Sequence, residues 1–350
     1  MGRLITLFNQ RPIDASCDAG LFHRWDIVVL MKLVQAPRAS AIVYSLIKSR
    51  EDTRPWLLPA NICPIVPITF LKADIPFEFV DISAKTLHMD LDQAEAKIKK
   101  RKFGGVLYAH TYGEASTPED FFQHIKDVDD SIMIVDDRCL CVPDLRSKPD
   151  KVADVQLYST GYAKFVELGR GGYAFLKDDV AYQIPSLPFD FQAHDEIEEN
   201  YKLAIKNRSV FQYQDSDWLE TGPFPVSWND YSAQIASGLR ESLNQREMLN
   251  KIYTEQLPVD MQLPAEYQAW RFNITVENKS YVLAAIYENG LFASSHYASL
   301  SGIMSPGRCP VAEAFHDQVI NLFNDHHFGE VRAEQVCKII REAHARHSTT

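Results

Sequence analysis

Residues 154–175 read DVQLYSTGYAKFVELGRGGYAF. A short apolar run, Val155–Tyr158, ends in Ser159. Lys164 follows in a setting of Ser, Thr, Gly and Ala, and then Gly169-Arg170-Gly171-Gly172 leads into a second apolar run, Tyr173–Leu176. Short apolar runs bounded by Gly and Ser read as buried strands. A lysine between two such strands is hard to place as decoration, because Lys is almost never fully buried without a partner. A lysine withdrawn from water shifts its pKa readily, which suits it to Schiff-base chemistry.

Working outward, the same grammar repeats. On the N-terminal side, Trp56–Leu58, Phe77–Val80, Gly105–Ala109 and Ser131–Val135 read as strands. Between them Cys63–Lys72, Leu91–Lys100 and Pro118–Ile125 read as helices. Alternation of this kind implies an α/β layer architecture whose mostly parallel central sheet is flanked by helices on both faces. Ligands gather at the carboxyl ends of such strands, and His110, Asp137 and Ser159 all stand there. Nearer the start, residues 1–24 read as an irregular arm, Trp25–Val34 as a helix, and Ala39–Ile47 as a helix opened by Pro37. Beyond the central stretch the pattern weakens from Asp178 to Pro225. A long helix follows from Asp230 to about Glu255, with Asn229 as its cap. Ala269–Val276 is expected as a strand, and Tyr281–Asn289, Phe315–Phe323 and Ala333–Ala343 as helices. The expected division is a large α/β domain over 1–230 and a smaller C-terminal α+β domain over 231–350.

The bulk composition fits a folded chain with a sizeable core. It has 350 residues, 46% hydrophobic and 24% charged, as ordinary globular proteins do. A net charge of −11 argues against a general affinity for nucleic acid. Six cysteines at irregular spacing suit reduced thiols better than a disulfide framework. No long apolar run suggests a membrane span and the N-terminus lacks a signal-peptide pattern, so a cytoplasmic location is expected. Met1-Gly2 with Thr6 matches the loose myristoylation pattern, a match common by chance. His326-His327 lacks ligand spacing with other His or acidic residues and reads as surface, so no metal is expected.

The chemistry that collects these residues is that of pyridoxal phosphate. Such a site needs an amine to hold the cofactor, a carboxylate to keep its pyridine nitrogen protonated, and donors for its phosphate. It also needs a surface against the ring. Lys164 supplies the amine and Asp137, after an Ile/Val-rich strand, the carboxylate. Asp136 should point the opposite way, because neighbouring strand residues alternate faces. Ser159 and the N–H groups of Ala39 and Ser40 at a helix start supply phosphate donors. Arg38 and Arg170 are candidates for a substrate anion, although each also reads as a solvated arginine, and Tyr162 is placed to line the pocket.

At this point a resemblance emerges. From roughly Pro37 to the C-terminus the chain resembles the DegT/DnrJ/StrS sugar aminotransferases, as a divergent member. Tyr158-Ser159 with Lys164 and Gly169-Arg170-Gly171-Gly172 matches that family's Phe-Ser-x-x-x-x-Lys and Gly-x-Gly-Gly. Val135-Asp136-Asp137-Arg138-Cys139-Leu140 falls on its Glu-Asp-Ala-Ala-Gln-like segment, and His110-Thr111-Tyr112-Gly113 on its His-x-Tyr-Gly. The stretch Pro76–Leu87, His296-Tyr297 and Ala312-Glu313 also match. The resemblance implies the fold of type-I pyridoxal phosphate transferases and a homodimer with its site at the interface. It implies Lys164 as the internal aldimine and proton carrier, and Asp137 on the pyridine nitrogen. Ser159 and the Ala39-Ser40 turn would hold the phosphate. The reaction it implies moves an amino group from glutamate or glutamine to a keto-sugar nucleotide or similar polar ketone.

Three positions depart from the pattern. Arg38-Ala39 replaces a Gly-Thr phosphate turn, Cys63 stands where an aromatic commonly covers the ring, and Leu140 replaces a Gln or His. The partner subunit's phosphate ligand would fall near Ser227 or Asn229. Two alternatives stay open: a pyridoxal phosphate enzyme of another chemistry, elimination or decarboxylation, and a non-catalytic relative of the fold.

Overall fold

Leu57 and Leu58 are neighbours in sequence and lie in different cores. So do Val106 and Leu107, and Ile134 and Val135. Each pair belongs to a strand buried on both faces, which is why these strands read as continuous apolar runs rather than as alternating ones. The computed structural model describes residues 31–146 and 151–347; the expected N-terminal arm and the myristoylation pattern lie outside them.

Seven strands form the main sheet: β1 (Met31–Ala36), β2 (Trp56–Pro59), β3 (Phe77–Val80), β4 (Gly105–Ala109), β5 (Met133–Asp137), β6 (Val155–Ser159) and β7 (Gly172–Lys177). Their order is β1-β7-β6-β5-β4-β2-β3. From β3 to β6 all neighbours pair in parallel, while β7 runs antiparallel to β6 and to β1. Helices α1 (Ala39–Lys48) and α2 (Ile65–Ala73) pack on one face with Leu58, Leu107 and Leu157. On the other face, α3 (Leu91–Lys100) and α4 (Glu119–Val128) cover Leu57, Val106 and Ile134. A full burial of one such leucine contributes about 1.5–3 kcal/mol, so the two faces together hold the sheet in place.

After β7 come α5 (Phe191–Asn207) and the long α6 (Trp228–Gln256). A three-stranded antiparallel sheet, ordered β8-β10-β9, follows from β8 (Phe272–Thr275), β9 (Ala293–Ser294) and β10 (Val319–Leu322). Its core joins Leu249 and Tyr253 of α6 to α7 (Lys279–Glu288) and α9 (Glu330–His347) through Ile286, Val336 and Ile340. Leu300, Ile303 and Ala312, the last in α8 (Pro310–His316), return to pack on the large core. Among the described residues, no helix is long and apolar enough to cross a membrane.

Four expectations are corrected here. Met31–Val34 is not helical: the segment is an edge strand, in register with β7 from Met31↔Lys177 to Ala36↔Gly172. A short, mostly apolar run carries no clear period to separate helix from strand, and pairing decides it. Phe315–Phe323 is not one helix. α8 ends at His316, and Val319–Leu322 becomes the middle strand of the small sheet, where β-branched Val319 and Ile320 are fully buried. The cap of α6 is Ser227, whose side chain accepts from the Asp230 N–H, rather than Asn229. Finally, the polar stretch after Asp178 contains a 17-residue helix, α5, capped by Asp190.

Candidate active site

The parallel strands all end on one side, and a cavity of about 260 Å³ opens there. Asp137 is the last residue of β5 and Ser159 the last of β6. His110 follows the end of β4. All three line this cavity, and so do Lys164, Ala39, Ser40 and Cys63. Lys164, Asp137, Ser159, Ala39, Ser40 and Cys63 thus line one space.

Two glycines explain how α1 is brought in. A Cβ on Gly172 would lie 2.5 Å from the Ala39 nitrogen, and one on Gly171 would lie 2.4 Å from the Tyr231 hydroxyl. Gly171 also has φ +92°, a conformation that side chains with a Cβ rarely take. The Gly-Gly step therefore lets β7 begin against the first turn of α1, where the Gly171 N–H donates to the Pro37 carbonyl at 2.6 Å. Among the described residues no side chain caps that helix start, and its first turn holds no acidic residue. Helix starts of this kind favour anions through free N–H groups and the helix dipole. Ser159 stands beside it with its Oγ accepting from the Gly161 N–H at 3.3 Å. Arg38 and Arg170 line the same wall. Arg38 Nε lies 3.4 Å from Glu220 Oε2 without a directed hydrogen bond, so this buried donor is unused among the described residues.

The two aspartates of β5 separate as strand alternation demands. Asp136 is turned away, accepting from His110 Nε2 at 2.6 Å and from Arg138 Nε at 2.7 Å. Burial alone would raise its pKa, but His110 and Arg138 hold it below the usual carboxylate range. Asp137, 7% exposed, accepts the Cys139 N–H at 3.0 Å, and among the described residues no cation reaches ion-pairing distance of it. A buried carboxylate without a cation is costly. A protonated ring nitrogen would complete it.

Lys164 is half-buried in the β6–β7 loop, and among the described residues nothing hydrogen-bonds or ion-pairs with its Nζ. Lys164 is therefore withdrawn from water only in part. Cys63 and Cys139 both line the cavity. Burial pushes both thiols up, with Lys164 pulling each back, so both stay protonated and unreactive. Leu140 lines the cavity as well.

Among the lining residues not singled out from the sequence are His194, Glu198 and Tyr201 of α5, and Tyr297, quoted there only as part of a matched motif, lines the cavity too. On α5, Ile197, Tyr201 and Ala204 recur at helical spacing behind the Asp190 cap, a signal diluted by charged neighbours. His194 Nδ1 donates to the Trp218 carbonyl at 3.2 Å. Tyr162 also lines the cavity and is largely exposed. Ser227 and Asn229 are not among the lining residues.

His326 and His327 are exposed, and Glu167, distant in sequence, comes within 3.4 Å of His327. A second close group, His88, His110 and Glu114, is buried. There both His110 nitrogens are already engaged, by the Glu114 carbonyl and by Asp136.

No protein-family model and no curated protein matches the sequence. Solved structures do match over most of the chain. One is a DegT DnrJ EryC1 StrS aminotransferase from Brucella abortus (TM-score 0.64, 16% identity, 89% of this chain and 86% of that one). The chain has the fold of that aminotransferase. It is similar to the same degree to NtdA of Bacillus subtilis with bound cofactor PMP, at TM-score 0.63 and 19% identity, covering 89% of this chain and 73% of that one. The sugar aminotransferase CalS13 of Micromonospora echinospora gives TM-score 0.63 and 17% identity, over 89% and 87%.

Proposed function

We propose that this chain is a pyridoxal-phosphate-dependent aminotransferase. Its amino donor is an amino acid, glutamate or glutamine, and its acceptor a keto-sugar nucleotide or a similar polar ketone. The observation that carries this reading is the convergence of Lys164, Asp137, Ser159 and the uncapped start of α1 on one cavity. The names of the structural neighbours agree with it, two as aminotransferases and NtdA through its bound PMP.

The residues present fit the cofactor. Asp137 is a buried carboxylate in need of a cation, and the pyridine nitrogen is the group to supply it. Ser159, the Ala39 and Ser40 N–H groups and the unused Arg38 Nε make a donor set for a phosphate. Cys63 and Cys139 offer small, uncharged sides to the ring. Bound pyridoxal phosphate supplies an aldehyde that condenses with amines and a ring that accepts electrons. Lys164 Nζ, without a partner among the described residues, would be the anchor for that aldehyde and the base that takes the proton from the donor's Cα. Asp137 keeps a proton on the ring nitrogen, and Arg170 orients an anionic group of the substrate. A second copy of the chain at the mouth would exclude water and complete the phosphate donors, so the working unit is read as a homodimer in the cytoplasm.

The test is reconstitution. Purified protein mixed with pyridoxal phosphate should gain a visible absorbance band that borohydride abolishes and that Lys164→Ala never develops. Glutamate should then bleach the band. A protein that takes up no cofactor refutes the reading, and a band that no amino donor alters favours elimination or decarboxylation instead.

A further inference from the structure

Lys164 follows a residue in an unfavourable conformation. Ala163 has φ +53°, in the left-handed region where a Cβ is crowded. Both of its backbone polar groups are taken by side chains from elsewhere. Its N–H donates to Glu167 Oε2 at 2.9 Å, and its carbonyl accepts from Trp270 Nε1 at 2.7 Å. The next carbonyl, that of Lys164 itself, accepts from Arg246 at 3.4 Å, and the same guanidinium lies 4.2 Å over the Phe165 ring.

The donor on Trp270 is itself fixed. Its side chain is 1% exposed and stacks between Tyr112, at 6.3 Å and 7°, and Tyr297, at 6.1 Å and 13°. Its backbone N–H donates to the Tyr112 carbonyl at 3.2 Å. Glu167 is steadied from its other oxygen by His327. A turn that an alanine would not choose is thus held at both polar groups, next to the one side chain on which the site depends.

We propose that Trp270 and Glu167 are positioning residues that hold Ala163 left-handed and thereby aim Lys164 Nζ into the cavity. The inference rests on Lys164 being the reactive amine. It goes further in assigning the aim of that amine to a segment more than a hundred residues away. Tyr297, stacked on Trp270 and lining the cavity, makes the same column a wall of the site.

The test separates aim from packing. Trp270→Phe keeps an aromatic ring in the stack and removes the N–H together with the indole's five-membered ring, so the glycine rescue below, and not this variant alone, separates aim from packing. Glu167→Ala removes the second hold at a site near the surface. Ala163→Gly, combined with Trp270→Phe, makes the left-handed turn accessible without a clamp. The first readout needs no cofactor: competitive acetylation of the intact protein by acetic anhydride, with Lys164 compared with the other lysines by peptide mass spectrometry. Trp270→Phe and Glu167→Ala should each change the relative reactivity of Lys164 at least threefold. The second readout is the rate at which glutamate bleaches the band of the reconstituted protein. It should fall about tenfold with a donor KM within about twofold, as misaimed groups lose rate rather than binding. Ala163→Gly should restore most of that loss. Single variants within twofold of the wild type in acetylation overturn the inference, and so does a loss that glycine fails to restore. If the wild type takes up no cofactor, the proposed function fails while acetylation still decides the clamp.

Discussion

The two walls of the cavity are built differently. One wall consists of strand ends and a helix start: Asp137, Ser159, and Ala39 with Ser40. Each takes its place from the local grammar of an α/β sheet, in which parallel strands end together. The other wall consists of α5 residues and Tyr297, from segments between residues 191 and 297, with Trp270 stacked on Tyr297. The first wall carries the groups a cofactor needs. On the function proposed above, the second faces the substrate. The difference suggests that the first tolerates little change, while the second sets selectivity.

Breaking the first wall should have the largest effect. Lys164→Ala should lower turnover by about 10²–10⁴-fold, the range for a lost acid–base group, checked by single-turnover kinetics with glutamate. Asp137→Asn removes the charge that stabilises a protonated ring nitrogen and should lower turnover about 10²–10³-fold, with a shifted absorbance maximum in the reconstituted protein. Gly172→Ala drives a Cβ into the backbone of Ala39. It should destabilise the fold by about 1–3 kcal/mol, as overpacking does, and weaken cofactor retention; denaturant melts with and without cofactor measure both. On the second wall the effects should be small. His194→Ala removes one polar side chain that lines the cavity from α5, so the acceptor KM should rise about 2- to 10-fold, as for one hydrogen bond, with cofactor uptake unchanged.

Acid should act on the whole molecule. Burial lowers the pKa of His88 and of His296 to about 4, against about 6.5 unfolded. Between these values the unfolded chain binds more protons, so stability is complete above pH 6.5 and is lost as pH falls toward 4. Each histidine contributes at most about 1.4 kcal/mol per pH unit. Asp136, with its depressed pKa, adds a further loss only below the usual carboxylate range. Urea melts from pH 7 to pH 4 should show the slope, and His88→Asn should flatten it.

Much of the first wall was legible because its signals are local. A carboxylate after Ser-Ile-Met-Ile-Val, a Ser after Val-Gln-Leu-Tyr and a glycine pair before Tyr-Ala-Phe-Leu each declare their place within a few residues. The strand alternation that sends Asp136 to His110 and Asp137 to the cavity follows from the pleat alone. The second wall was not legible, for reasons of contact. α5 buries only Ile197 and Ala204 within its own span, too thin a stripe to announce a helix among charged residues. Trp270 reaches Ala163 across 107 positions, and no pattern in either segment points to the other. Met31–Ala36 and Val319–Leu322 became strands because a neighbour was there to pair with them, the common way in which tertiary context overrides local preference.

The central claim is that Lys164 is the amine that holds the cofactor. Protein incubated with pyridoxal phosphate, reduced with borohydride and digested should carry the reduced pyridoxyl group on the peptide containing Lys164, in stoichiometric yield and on no other lysine. A label spread over surface lysines, or absent from Lys164, would contradict the account.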